Sequence, residues 1–286
     1  HMAEKCYRSE LIGLFGCPVD ENPTVVIMEA AFKALGLNYR YNTMLVYPED
    51  LETAVKSLKA LHMKGTHITI PHKVSVIPYL DRLTDTAALI GAVNTVYEDH
   101  GEMVGENTDG KGFIKSLEDE HIKISGKKAV ILGAGGAARA IAVELALAGT
   151  RKIIIVNRSP DRGETLVKLI NEKTTAHAEF TLWEGCYNVD EDTDILVNCT
   201  SIGLYPDTNV PNIDYNTLKF TTVVCDIIPN PLHTRFMAKA QACGCKTLDG
   251  VSMLINQAAV SFKLWTGIDA PVEIMKMAMM KENGDL

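Results

Sequence analysis

The run Val130-Ile131-Leu132-Gly133-Ala134-Gly135-Gly136-Ala137-Ala138-Arg139 constrains this chain more than any other segment. An apolar strand ends in a glycine cluster, and an alanine-rich helical stretch follows at once. That order is what a nucleotide pyrophosphate requires. Gly133 makes the tight turn, and Gly135 and Gly136 let backbone amides of the Ala137 turn approach the phosphates. The small Ala138 lets helix and strand pack closely. The anion then sits at a helix N-terminus, where unpaired N–H groups and the macrodipole favour it. A plain strand-to-helix connection is the alternative for such a turn.

The next crossover sharpens the reading. Lys152-Ile153-Ile154-Ile155-Val156 reads as a strand buried on both faces, ending in Asn157-Arg158-Ser159-Pro160-Asp161-Arg162. A site for NAD(H) usually places Asp or Glu at this strand end, on the ribose 2′-hydroxyl. Asn157 and Arg158 stand there instead, and a guanidinium suits a 2′-phosphate. Ser159 and Pro160 suit the N-cap and first position of the following helix, and Arg162 adds a second cation. NADP(H) is therefore favoured and NAD(H) remains possible; the bland reading leaves both arginines as solvated surface charges.

At 286 residues with 47% apolar content, the chain is long enough for two globular domains. A net charge of −8 offers no basic footprint for nucleic acid, and no stretch suggests a membrane span or signal peptide. His1-Met2 reads as an expression-tag remnant. Seven scattered cysteines suggest reduced thiols in a cytoplasmic protein, and Cys243-Gly244-Cys245 lacks the second pair that a metal site needs. No metal is expected.

Strand and helix patterns alternate throughout: strands at 11–15, 39–46 and 65–70, helices at 23–35 and 49–61, and a hairpin pairing 92–97 with 103–105. The expected fold is α/β. A Rossmann-type nucleotide-binding domain, 126–249, is inserted into a substrate domain of residues 1–125 that is completed by C-terminal helices in 250–286. A small substrate would meet the nicotinamide in the crevice between domains.

The ordered segments Thr69-Ile70-Pro71-His72-Lys73, Gly91-Ala92-Val93-Asn94-Thr95, Gly105-Glu106-Asn107-Thr108-Asp109, Asn198-Cys199-Thr200-Ser201-Ile202-Gly203 and Asp249-Gly250-Val251-Ser252-Met253-Leu254-Ile255-Asn256-Gln257 join the two nucleotide segments. As a set they resemble the shikimate/quinate dehydrogenase family over nearly the whole chain. The resemblance implies NADP-dependent, reversible reduction of 3-dehydroshikimate to shikimate by a monomer or homodimer. It makes Lys73 and Asp109 the catalytic pair, with Asn94, Gln257, Thr69, His67 and Thr24 toward the substrate. It sets Thr200 and Gly250 beside the coenzyme and leaves His72 a spectator. Hydride reduction of a ketone leaves an oxyanion that must be stabilised and protonated, which a cation held by a carboxylate does. Lys73 either transfers that proton or mainly stabilises charge. On residues alone, Lys73 would be a solvated lysine and Asp109 a helix cap.

Three departures fall on the substrate side. The family's opening Gly-x-Pro-Ile-x-His-Ser-x-Ser-Pro, whose serines bind a carboxylate, is replaced by the shorter Gly16-Cys17-Pro18-Val19-Asp20-Glu21-Asn22-Pro23-Thr24. His67 stands for the family's Asn, and Pro229 for a Tyr. Either the pocket takes a neutral or amine-bearing cyclic polyol, or Asp20 and Glu21 face solvent while Thr24, Asn22 and His67 bind the carboxylate. A non-catalytic NADP(H) sensor and a folate-type dehydrogenase are the remaining alternatives.

Overall fold

Parallel strands buried on both faces need helices above and below them, and this chain supplies them twice. The computed structural model describes residues 5–286; His1-Met2 lies outside them. Two compact units result. One runs to Thr108 and resumes at Ala258; the other is Asp109–Gln257.

The first unit holds β1 (Glu10–Gly16), α1 (Thr24–Ala34), β2 (Tyr39–Leu45), α2 (Leu51–Ala60), β3 (Gly65–Ile68), β4 (Arg82–Leu83), α3 (Asp85–Ile90), β5 (Thr95–Asp99) and β6 (Glu102–Glu106). They form a six-stranded sheet in the order β2-β1-β3-β5-β6-β4. β1 is parallel to β2 and β3, whereas β5 is antiparallel to both β3 and β6. The expected strand from residue 92 begins only at Thr95. Gly91 closes α3 in the left-handed conformation (φ 77°), and the Val93 N–H bonds to the Lys73 carbonyl instead of joining a ladder. The expected 49–61 helix starts as a single 3₁₀ turn, Pro48–Asp50, before α2.

The second unit begins with α4 (Asp109–Asp119) and continues through β7 (Lys128–Leu132), α5 (Gly136–Leu147), β8 (Lys152–Asn157), α6 (Pro160–Lys173), β9 (His177–Leu182), β10 (Tyr187–Asn188), β11 (Ile195–Asn198), β12 (Ile213–Asp214), β13 (Val223–Asp226), α7 (Arg235–Ala242) and β14 (Thr247–Leu248). Its six-stranded sheet runs β14-β13-β11-β7-β8-β9, and every pairing in it is parallel. This is the doubly wound nucleotide-binding order, with its switch point between β7 and β11. Alternation fills both faces: Ile131, Ile153 and Val197 pack on one side, Val130, Ile154 and Leu196 on the other. β10 and β12 make a separate two-stranded ribbon.

α8 (Gly250–Thr266) starts in the second unit and ends in the first, where α9 (Val272–Glu282) packs on α1. The compact units divide at 108/109 and 257/258, where the sequence suggests 125/126 and 249/250. The difference has a packing cause. Gly110 of α4 lies against the Ala140 carbonyl of α5, and a Cβ at Gly112 would sit 2.5 Å from the Gln257 nitrogen. α4 and the first half of α8 therefore group with the nucleotide sheet.

Candidate active site

The glycine-rich turn occupies the switch point of the second sheet. Gly133 takes φ 111°, and a Cβ there would press on the Cys199 carbonyl at 3.2 Å. Gly135 is the N-cap of α5, and no side chain caps that helix. A Cβ on Gly135 or Gly136 would meet nothing within 4 Å. The turn is thus a bare cradle at a helix N-terminus, which fits a pyrophosphate. An open groove of about 440 Å³ continues from it, lined by Ala134, Gly135, Gly136, Arg139, Asp161 and Arg162 among others. Ala137 follows in the first turn of α5, and Ala138 is fully buried.

At the end of β8, Asn157 Nδ2 donates to the Ser159 carbonyl (3.0 Å). Ser159 is the N-cap of α6 and Pro160 opens it, although the serine hydroxyl makes no cap bond. Arg158 and Arg162 are both exposed. The Arg158 guanidinium lies 5.9 Å from the centre of the Trp183 ring. Thr200 closes the turn after β11, its hydroxyl donating to Asn198 Oδ1 (2.6 Å) and accepting from the Ile202 N–H (3.1 Å). Gly250 makes a close helix approach: a Cβ there would meet the backbone of Ile227 and Ile228. Packing alone accounts for glycine at that position.

Asp226 ends β13 in a buried network. It accepts from Thr234 Oγ1 (2.7 Å), the Ile228 N–H (3.1 Å) and Asn198 Nδ2 (3.2 Å). Burial outweighs these donors and raises its carboxyl from 3.8 to about 6. Folding therefore favours the protonated form, so this carboxyl's contribution to stability is full below 3.8 and is lost as pH rises through about 6. Compared with Asp226→Asn, the wild type should lose about 2 kcal/mol of unfolding free energy between about pH 4 and about pH 7. Denaturant titrations at both pH values check this, and parallel pH profiles for the two proteins would refute it.

In the first unit, the segments after the carboxyl ends of the parallel strands β1 and β3 include Thr24, Thr69 and Lys73. The Cys17 N–H bonds to the Ile70 carbonyl and the Thr69 N–H to the Phe15 carbonyl, so the loops after β1 and β3 run together. Thr69 is half-buried, and Thr24 is buried as the first residue of α1, its N–H held by Asn22 Oδ1 (3.1 Å). Asp20 and Glu21 are exposed and line a surface groove with Pro18, Val19, Asn22 and Pro23. His67 is buried on β3, sharing a 2.6 Å hydrogen bond with the Tyr41 hydroxyl and meeting the Trp265 ring edge-on at 4.7 Å. Burial holds the Tyr41 phenol well above its ordinary range, so it stays protonated. His72 is buried and its Nε2 bonds to the Val46 carbonyl (2.7 Å), a structural tie between loops.

Lys73 is half-buried and its carbonyl accepts from the Val93 N–H (2.8 Å). Asn94, next along, holds Thr108 twice: its Nδ2 donates to Thr108 Oγ1 (2.9 Å) and its Oδ1 accepts the Thr108 N–H (2.8 Å). Ser261 Oγ completes the network, 3.1 Å from Thr108 Oγ1 and 2.7 Å from Thr95 Oγ1. Asp109 is the residue after Thr108 and opens α4. Hydrogen bonds thus link the backbone of Lys73 to the residue preceding Asp109. Gln257 is buried on α8. Sequence reasoning gave no role to Thr108, Ser261, Tyr41, Trp265 or Trp183. Tyr41 on β2, Ser261 and Trp265 on α8, and Trp183 just after β9 look like ordinary core residues, and Thr108 like a hydroxyl within a longer motif.

Comparison with known proteins places the chain in a family. Residues 14–96 match the shikimate dehydrogenase substrate binding domain, 116–211 the shikimate/quinate 5-dehydrogenase family, and 250–280 the shikimate 5′-dehydrogenase C-terminal domain. The shikimate dehydrogenase (NADP(+)) of Desulforamulus reducens is 40% identical over 279 residues, 96% of each chain. The chain belongs to the shikimate dehydrogenase family. It is accordingly an α/β oxidoreductase of the kind that acts on a CH–OH group. A shikimate dehydrogenase solved with NADP+ is 41% identical, covers 96% of each chain and superposes with a TM-score of 0.87. The ligand-free 5-ketofructose reductase of Gluconobacter sp. strain CHM43 is 45% identical, covers 97% of this chain and 100% of its own, and reaches a TM-score of 0.95. Among the described residues, no helix is long and apolar enough to cross a membrane.

Proposed function

We propose that this protein reduces the ketone of a small polyhydroxylated substrate with NADPH, and reversibly oxidises the corresponding alcohol. Reduction of 3-dehydroshikimate to shikimate is the first reading, supported by the family and by curated relatives named for that NADP-dependent activity. NADPH supplies the hydride. The bare Gly135-Gly136 turn and Arg158 are the chain's groups for its pyrophosphate and 2′-phosphate.

Lys73 places its ammonium at the carbonyl oxygen, stabilises the negative charge that develops as hydride arrives at the carbon, and gives that oxygen a proton, the neutral amine regaining one from solvent. Asp109 orients the ammonium and keeps it charged. The observation that carries this reading is the bonded series from the Lys73 carbonyl through Val93-Asn94 to Thr108, one residue before Asp109. Asn94, Gln257, Thr69, His67 and Thr24 serve the substrate's hydroxyl and acid groups. All seven cysteines are free thiols, in keeping with a cytoplasmic enzyme.

A second reading is favoured by one pair of observations. The loop that carries the family's serines presents exposed Asp20 and Glu21 here, and a reductase of a neutral keto-sugar is 45% identical over nearly the whole chain. Carboxylates at a pocket mouth repel an anionic substrate and leave a neutral ketone unaffected. NADPH oxidation measured against 3-dehydroshikimate, 5-ketofructose and neutral keto-cyclitols separates the readings. Efficient turnover of 3-dehydroshikimate alone upholds the first; turnover of a neutral ketone alone upholds the second. No turnover of any, with NADPH bound, would leave the sensor.

A further inference from the structure

β8 and β9 are parallel and in register at Asn157 and Leu182, so the next residues, Arg158 and Trp183, leave adjacent strand ends side by side. Trp183 is fixed there. Its backbone N–H bonds to the Asn157 carbonyl (2.9 Å), its indole N–H donates to the Asn212 carbonyl (3.1 Å), and its ring is buried with Leu132 and Val156. The Arg158 guanidinium rests against that ring at 5.9 Å from its centre, within cation–π range. Arg158 is exposed, and among the described residues its guanidinium has no hydrogen-bond or ion-pair partner. A long cationic side chain on a strand-end loop ordinarily samples many rotamers. Here one wide, immobile surface holds it while every N–H donor stays available.

We propose that Trp183 is a positioning residue for coenzyme choice, holding Arg158 ready for the 2′-phosphate and thereby favouring NADP(H) over NAD(H). This rests on the NADP reading above. The binding energy lies in the arginine–phosphate contact; the indole lowers the ordering cost of making it. The effect is therefore confined to ligands that carry the 2′-phosphate.

The test is calorimetric titration of wild type, Trp183→Leu and Trp183→Phe with 2′,5′-ADP and with 5′-AMP, the same nucleotide without the 2′-phosphate. Trp183→Leu should weaken 2′,5′-ADP binding roughly two- to fivefold, the range of an exposed cation–π contact, and leave 5′-AMP unchanged. Trp183→Phe, which keeps a ring, should lose less. Trp183 emission in the wild type should respond to 2′,5′-ADP more than to 5′-AMP, and that difference should vanish in Trp183→Phe. Equal 2′,5′-ADP affinity in wild type and Trp183→Leu, with 5′-AMP binding intact, overturns the proposal. Should Trp183→Leu fail to fold, identical emission changes with both nucleotides in the wild type overturn it. A wild type that binds 2′,5′-ADP no tighter than 5′-AMP defeats the NADP reading itself, a result distinct from the loss of Trp183's role.

Discussion

Replacing Lys73 by alanine should lower kcat for ketone reduction by about 10²- to 10⁴-fold, the usual share of a positioned proton-transfer group, while NADPH binding stays within about twofold. The separation follows from the fold. Lys73 belongs to the first unit, after β3, whereas the glycine-rich turn and Arg158 belong to the second. Asp109→Asn should act in the same direction, because it keeps the side chain's shape while removing the charge proposed to orient the ammonium. Steady-state kinetics together with a fluorescence titration of NADPH check both. A loss below tenfold in Lys73→Ala would remove this residue from the chemistry.

Gly65→Ala should produce the largest stability effect of any single methyl addition. Gly65 opens β3 at φ 153°, a backbone region that disfavours a side chain. A Cβ there would run into the Val96 carbonyl and come within 2.5 Å of Trp265 Nε1. That same carbonyl accepts the Trp265 indole N–H at 2.9 Å, so the clash falls on backbone and on a buried hydrogen bond together. The expected cost is about 3 kcal/mol or more, seen as a melting temperature lower by roughly 6 to 12 °C. The strand displaced is the one that carries His67, so activity should fall with stability. A variant that melts within about 2 °C of the wild type would show that β3 shifts freely there.

Both sheets were legible wherever their strands were long and apolar. β7 and β8 show as unbroken apolar runs, because parallel strands are covered on both faces. The two-residue strands β4, β10, β12 and β14 carry no periodicity of their own, since two residues cannot display an alternation. α3 has six residues and is set by a Thr84 cap and Gly91, signals too local to stand out beside a longer pattern. The expectation for Lys73, Asn94 and Asp109 came from the order of motifs, because each lies within one of the ordered segments. Trp183 lies in no motif, and it meets Arg158 only because β8 and β9 are neighbours in register.

Local sequence thus determined what depends on chain neighbours: the glycine turn, the exchange of an acidic residue for Asn157-Arg158, and the absence of the paired serines before Thr24. Tertiary structure decided what depends on residues far apart in the chain. It put the Thr95 and Thr108 hydroxyls against Ser261, more than 150 residues away, and Tyr41 against His67. It also turned Gly65, Gly110, Gly112 and Gly250 into contact points between backbones. The physical reason is that a hydrogen bond or a steric limit between distant segments leaves no periodicity in either one. It exists only once sheet order and helix packing have brought the two together.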